Sequence, residues 1–120
     1  MAQQSLSEIL ASVSVDLAPY ETLYKHFHTH PELSLQEKAT SETIASHLSQ
    51  LGAYEIQTNI GGYGLVGILK NGAGKTILLR ADIDALPVKE LTGLPYASSV
   101  TMSDADGNER PVMHACGHDM

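Results

Sequence analysis

The densest group of reactive residues lies at residues 113–120, which read MHACGHDM. The chain has one cysteine, Cys116, and it stands between His114 and His118. Because Cys116 and His118 are two positions apart, their side chains share one side of an extended or turned segment, but not of a helix. Gly117 between them permits such a turn. A thiolate and an imidazole so placed suit a zinc-like divalent ion better than magnesium or calcium, with a nitrogen of His114 as a third donor within reach.

Two other interpretations of this segment stay open on the residues alone. The first is a loop with incidental histidines and a buried structural thiol, since packing is the commoner fate of a single cysteine. The second is a nucleophilic thiol that uses His114 or His118 as its base. A cysteine between two histidines of one short loop is poorly placed for the geometry of nucleophile, base and orienting group, which disfavours the second interpretation.

A pair of aspartates forms a second candidate group. Asp82 and Asp84 end the run KTILLRADID, residues 75–84, and their spacing places them on one face if this run is a strand. In open α/β sheets, ligand sites gather at the carboxyl ends of strands, where a carboxylate can bind a metal or orient a ligating histidine. The alternative is a solvated strand end at which an aspartate caps a turn.

Three further patterns carry less weight. His26 and His30 are four positions apart on a predicted helix, but exposed histidines near a helix C-terminus, where a cationic imidazole is favoured, explain them better. GYGLVG at 62–67 fits a dinucleotide fingerprint, yet it runs into a strand and not into a helix. NGAGKT at 71–76 lacks the first glycine of a phosphate-binding loop, because Leu69 stands at that position.

The first half of the chain is predicted to be helical. Residues 1–18 form a weakly helical lead-in, and a helix with an aromatic stripe runs from Pro19 to His30, since the residue before a proline disfavours α geometry. Ser34 and Glu37 have capping-box spacing, and the amphipathic helix after them ends at Gly52.

The second half is predicted to be rich in strands and turns. Runs of β-forming residues, separated by GG and NGAG, predict three strands with hairpin-like connections; they occupy residues 53–60, 63–70 and 75–84. We expect the third strand to be the most buried, because it is the most apolar. The stretch 87–111 is rich in turn residues.

Size, charge and hydropathy restrict the class of protein. A chain of 120 residues holds one domain at most. No apolar run reaches the roughly 18 residues of a membrane span, so we expect no membrane partner. A net charge of -7 offers no basic face to nucleic acid. A secretory signal has a positively charged segment near its N-terminus, but no Lys or Arg precedes Lys25. We therefore expect a cytoplasmic protein.

Four blocks of sequence, in this order, resemble the amidohydrolase family that includes hippurate hydrolase, bacterial N-acyl-amino-acid hydrolases and plant auxin-conjugate hydrolases. Aminoacylases and carboxypeptidase-type metallopeptidases belong to the wider superfamily. The resemblance covers nearly everything after about residue 20. The blocks are HTHPELSLQE at 28–37, GYGLVGIL at 62–69, LLRADIDALPVKELTGLPYAS at 78–98 and VMHACGHDM at 112–120.

The resemblance implies an α/β fold in which residues 1–120 are the N-terminal portion of one metallohydrolase catalytic domain. Two amphipathic helices, a three-strand section and a metal-binding loop would follow the lead-in at 1–18. The sheet would be incomplete, because the family's inserted smaller domain and C-terminal half lie outside this sequence.

The resemblance also implies roles for individual residues. Cys116 and His118 match two ligands of a dinuclear centre that holds two divalent ions, zinc or manganese. Asp84 matches the aspartate that orients a metal-binding histidine in distant relatives with a His-x-Asp motif, although Asp82 stands where that histidine would be. His114 and Asp119 match the motif without a ligand role.

The implied reaction is hydrolysis of the amide bond of an N-acyl amino acid or a related conjugate, in a full-length protein that is a homodimer. The family's general-base glutamate, a metal-binding glutamate and two further histidine ligands lie outside this sequence, so we expect the 120 residues alone to be inactive. The alternative is a non-catalytic, truncated remnant that binds a metal ion or a partner subunit through an exposed sheet edge.

Overall fold

The computed structural model describes residues 5–118. Over this range the fold is α/β, as the sequence predicts. The described helices are too short and too polar to cross a membrane. The elements in chain order are α1 (Leu6–Ser12), α2 (Ala18–Thr29), α3 (Lys38–Gln50), β1 (Tyr54–Ile60), β2 (Gly64–Leu69), β3 (Thr101–Ser103) and β4 (Glu109–Pro111).

The first two helices confirm the helical prediction for this part of the chain. Helix α1 lies in the lead-in and begins at a capping box, in which Ser5 and Glu8 each bind the other's backbone N–H. Helix α2 has Pro19 in its first turn, where a proline fits without loss of a hydrogen bond, and it ends at Thr29, just before His30 and Pro31.

Helix α3 begins differently from its prediction. Glu37 occupies the N-cap position without a side-chain bond to the helix, and the hydroxyl of Ser34 donates to Asp84 instead. The carboxylate of Glu32 accepts from the backbone N–H groups of Ala39 at 3.1 Å and Thr40 at 2.6 Å. The predicted capping box is therefore wrong, and a residue from the preceding loop satisfies the helix start.

The hairpin of β1 and β2 confirms two of the three predicted strands. The strands are antiparallel, with Tyr54 opposite Leu69 and Gln57 opposite Val66. Helix α3 packs on this hairpin. A Cβ at Gly67 would lie 3.2 Å from Leu48 Cδ1, so this glycine allows the close approach of helix and strand.

The third predicted strand is absent from the described residues. Residues 75–84 form no strand, and their apolar side chains are exposed, with Leu79 at 95%. A strand exists only through its neighbours, and no described segment pairs with this run along its length. The expectation that this run is the most buried is wrong.

A small core forms where the chain returns to this region. The buried apolar residues are Leu33, Ala85 and Val112, and Val100 and Met102 pack against them. Leu33 bridges Ala85 in parallel, and Leu86 bridges Met113 in antiparallel fashion. Strands β3 and β4 pair as a hairpin inside the stretch for which the sequence indicated only turns.

Candidate metal centre

Cys116 and His118 lie on an exposed turn at one end of the described chain. Gly117 between them has φ +79°, a left-handed conformation that an L residue with a Cβ adopts only with strain. The glycine thus makes the turn that its position predicted. Because the Cys116 side chain is exposed, the interpretation as a buried structural thiol does not hold.

The segment that leads into this turn is held firmly. Met113 exchanges two backbone hydrogen bonds with Leu86, each 3.0 Å long. Val112, one residue earlier, is 1% exposed and donates its N–H to the carbonyl of Val100 at 3.0 Å. His114 follows directly and is half-buried. The loop that carries the thiol and the imidazole therefore leaves from a fixed, buried point.

The structure separates the two aspartates. Asp82 accepts from Arg80 Nη2 at 2.5 Å on the exposed run. Asp84 is half-buried and accepts from the hydroxyl of Ser34, next to the backbone bond from Ala85 N–H to the carbonyl of Glu32. No strand orients both carboxylates to one face, so the prediction of a joint aspartate site at a strand end is wrong.

Asp84 nevertheless lies, in the topology, beside residues 114–118, which we call the metal loop after their proposed role. Leu86 and Met113 form an antiparallel bridge, so the two segments run in opposite directions. The residues before Leu86 therefore lie opposite the residues after Met113. Asp84 is thus brought to the end of the bridge from which His114 leaves. Asp119, which the resemblance did not make a ligand, lies outside the described residues.

The donor types of the turn fit a borderline divalent metal. A thiolate and an imidazole are the ligands that zinc prefers, and their exposure leaves room for further ligands. Within residues 5–118, no three His, Cys, Asp or Glu side chains are grouped so that they could hold an ion. The described residues thus offer two donors, where a catalytic zinc site usually has about three protein ligands.

His26 and His30 contact each other at the C-terminal end of α2. The rings of His26 and His30 stack with centroids 4.5 Å apart, and His30 Nδ1 lies 2.9 Å from the carbonyl of His26. This contact with the last turn of a helix is the role that their position predicted.

His28 has a partner that the sequence did not indicate. Its Nε2 lies 2.9 Å from Glu90 Oε1, with the His28 side chain 8% and that of Glu90 0% exposed. Burial raises the pKa of Glu90, but hydrogen bonds from Thr92, His28 and Ser98 outweigh it and hold the pKa below its usual 4.5. Glu90 is therefore ionised near neutral pH and accepts from the imidazole.

Comparison with known proteins gives relatives for four-fifths of the chain. It is 44% identical over 101 residues to the hippurate hydrolase of Campylobacter jejuni, covering 83% of this chain and 24% of the relative. It is 41% identical over 95 residues to the N-acetyl-L-cysteine deacetylase of Bacillus subtilis, covering 79% and 21%. No family model matches the chain.

A solved structure agrees with these relatives. The crystal structure of the Bacillus subtilis YXEP protein, a dinuclear metal-binding peptidase from the M20 family, matches with a TM-score of 0.66 and 37% identity. The match covers 84% of this chain and 26% of that one. The chain thus spans about a quarter of the length of the proteins it matches. By sequence and by fold, this chain is thus similar to a part of the amidohydrolases and of an M20 family peptidase.

Proposed function

We propose that this chain contributes to the metal-dependent hydrolysis of amide bonds in N-acyl amino acids or related conjugates, as part of a longer protein. The observation that carries the proposal is the exposed thiol and imidazole of Cys116 and His118 on either side of the Gly117 turn. The names of the relatives support amide hydrolysis, and the dinuclear centre of the YXEP protein supports a divalent metal.

Cys116 and His118 would hold the metal, which we propose to be zinc or manganese, with two ions in a complete site. When bound, the metal supplies a Lewis acid for the scissile carbonyl and lowers the pKa of the attacking water. Asp84, fixed by the Ser34 hydroxyl, is proposed to orient a ligand from its place beside the loop. A general base and the remaining ligands would come from residues outside this sequence.

The site is proposed to work in the cytoplasm on a small-molecule substrate, in a full-length protein that forms a homodimer. The acidic composition, with a net charge of -7, supports a small metabolite over a nucleic acid.

A second candidate is a non-catalytic chain that binds a metal ion or a partner subunit. The exposed apolar side chains of Ile77, Leu78 and Leu79 favour it, since an unpaired extended segment can accept a strand from another chain. The two candidates differ in whether a longer protein that contains this chain hydrolyses amides, so that protein is assayed beside the isolated chain.

The test is elemental analysis of metal bound to the purified chain, with hydrolysis of N-acyl amino acids assayed on the same samples. Cys116→Ser and His118→Ala should each remove most of the bound metal, whereas His26→Ala, a matched change at an exposed histidine, should not. Equal metal in all four proteins would reject the metal site. For the isolated chain both candidates predict metal without turnover. A longer protein that binds metal through Cys116 and His118 but hydrolyses no N-acyl amino acid would favour the second candidate.

A further inference from the structure

The buried pair of His28 and Glu90 has no part in the proposed chemistry, yet it lies at the start of a chain of contacts. Its atoms are 2.9 Å apart, and both side chains are almost fully buried. An ionised carboxylate in such a place is stable only while its partners stay in position, because a buried charge without partners is costly. The pair therefore fixes the segment around Glu90 against helix α2.

Glu90 passes this constraint to Ser98. The Oε2 atom of Glu90 accepts the backbone N–H of Ser98 at 2.5 Å. The hydroxyl of Ser98 in turn donates to the carbonyl of Val112 at 2.7 Å and accepts the N–H of Val100 at 3.2 Å. Ser98 thus binds the carboxylate through its main chain and Val112 through its side chain.

Val112 is the last fully buried residue before the metal loop. Its carbonyl accepts from the Ser98 hydroxyl, and its N–H donates to the carbonyl of Val100. The next residue, Met113, forms hydrogen bonds with the backbone of Leu86 through both its N–H and its carbonyl. These bonds set the position and direction from which the chain enters the turn at Gly117. A shift at Val112 would move Cys116 and His118 together.

We propose that His28, Glu90 and Ser98 are positioning residues of the metal loop, acting in series on Val112. The proposal rests on the proposed metal role of Cys116 and His118. A loop that is held at its base loses less conformational freedom when it binds an ion, so its ligands bind more tightly. Substitutions behind metal ligands commonly weaken metal binding by about 10–100-fold.

The first measurement is amide hydrogen exchange in the metal-free protein. Ser98→Ala removes the bonds to Val112 and Val100 and leaves the His28–Glu90 pair in place. Exchange at the Val112 and Met113 amides should become about tenfold faster, as for the loss of one hydrogen bond. The Leu48 amide in α3 should be unchanged, which distinguishes a local effect from lower global stability. Ser98→Thr, which keeps the hydroxyl, should restore slow exchange.

The second measurement is the Zn²⁺ affinity of the same proteins by calorimetric titration. Ser98→Ala should weaken binding about tenfold, Ser98→Thr should bind like the wild type, and Glu90→Gln should weaken binding at least as much as Ser98→Ala. Ser103→Ala serves as the control, because its hydroxyl bonds Glu109 within the β3–β4 hairpin and not Val112. Ser98→Ala is the decisive variant if Glu90→Gln fails to fold.

The two measurements separate this proposal from the proposed function. Zinc binding that is the same in wild type and Ser98→Ala, with unchanged exchange at Val112 and Met113, would overturn the positioning role and leave the metal site intact. Faster exchange in Ser98→Ala, in a protein whose wild type binds no zinc, would support positioning of the loop and reject the metal site.

Discussion

Gly117 lies between the two proposed ligands with a left-handed backbone, and it does so on an exposed turn. We expect an alanine at this position to relax to an ordinary conformation in the metal-free protein, because the turn is exposed. The bound state requires Cys116 and His118 to converge, and that convergence depends on the turn. The strain of a Cβ therefore falls on the bound state.

We expect Gly117→Ala to weaken Zn²⁺ binding about five- to tenfold, which corresponds to roughly 1–1.4 kcal/mol of backbone strain. Gly93→Ala is the matched control, because Gly93 has φ +71° in a different loop. It should lower the free energy of unfolding and leave the zinc affinity unchanged. Calorimetric titration and urea denaturation measure the two quantities, and equal zinc affinities for Gly117→Ala and wild type would contradict the role of the turn.

Glu90 predicts a pH dependence of stability. Its pKa is held below 4.5 in the folded protein, so its contribution to stability is fully present above 4.5 and is lost as the pH falls through the folded-state value. The difference in free energy of unfolding between wild type and Glu90→Gln should be largest near neutral pH and shrink in acid. Glu42→Gln, at an exposed glutamate of α3, is the control for the substitution itself. A wild-type advantage that grows in acid would contradict the assignment.

The sequence predicts the metal-loop turn and misses the buried pair for a physical reason. Cys116, Gly117 and His118 are neighbours, so their spacing alone restricts the geometry. His28 and Glu90 are 62 positions apart, and no local pattern connects them. The ring of Tyr96 packs against His28, and this contact exists only after the chain has folded.

At the scale of elements, the N-terminus of α3 depends on the loop before it. Glu32 accepts from Ala39 and Thr40 through its side chain, and its carbonyl accepts from Ala85. One residue thus joins the helix to the segment around Ala85, whose next residue, Leu86, pairs with Met113 at the base of the metal loop. The four N–H groups at a helix start need such acceptors.

Glu32→Ala should lower the free energy of unfolding by about 1 kcal/mol, the usual effect of losing an N-terminal cap. Glu37→Ala is the control, because Glu37 binds the N–H of Leu35 and not the helix. Thermal denaturation followed by circular dichroism at the helix signal measures both. A larger loss for Glu37→Ala than for Glu32→Ala would show that the capping-box spacing had predicted the helix start correctly.

Helices and hairpin were predictable to different degrees for the same reason. The apolar period of α2, the proline in its first turn and the glycine after α3 are local signals. The structure contains both helices near the bounds that these signals predict. The GG turn after Ile60 likewise joins two strands that are neighbours in sequence. The run at 75–84 has the composition of a buried strand, but its state depends on neighbours that the described residues do not supply.

At the scale of the whole molecule, the described part of the chain is extended. Its radius of gyration is 17.7 Å, whereas a compact domain of this length has about 14 Å. Within residues 5–118 the hydrophobic core is the cluster of Leu33, Ala85 and Val112. So small a core leaves most of the apolar surface of the chain in contact with water, the run at 77–79 above all.

The exposed apolar run at 77–79 predicts self-association of the chain, and a charged side chain placed in this run should reduce it. Leu79→Lys should change the free energy of unfolding by less than about 0.5 kcal/mol, since the side chain is exposed, yet lower light scattering at high concentration. Leu91→Lys, at an 82% exposed leucine outside the run, should lower it less. Equal effects of the two variants would mean that the run is not the associating surface.

The exposed run also makes the chain easy to cut. Lys70, Lys75 and Arg80 lie in or beside a stretch without regular structure between β2 and the metal loop, and proteases act on backbone that can adapt to their clefts. Brief trypsin treatment should cleave there before it cleaves within α3. A chain that adds a strand to this run would shield these bonds, so resistance to trypsin would detect such a partner without knowledge of its identity.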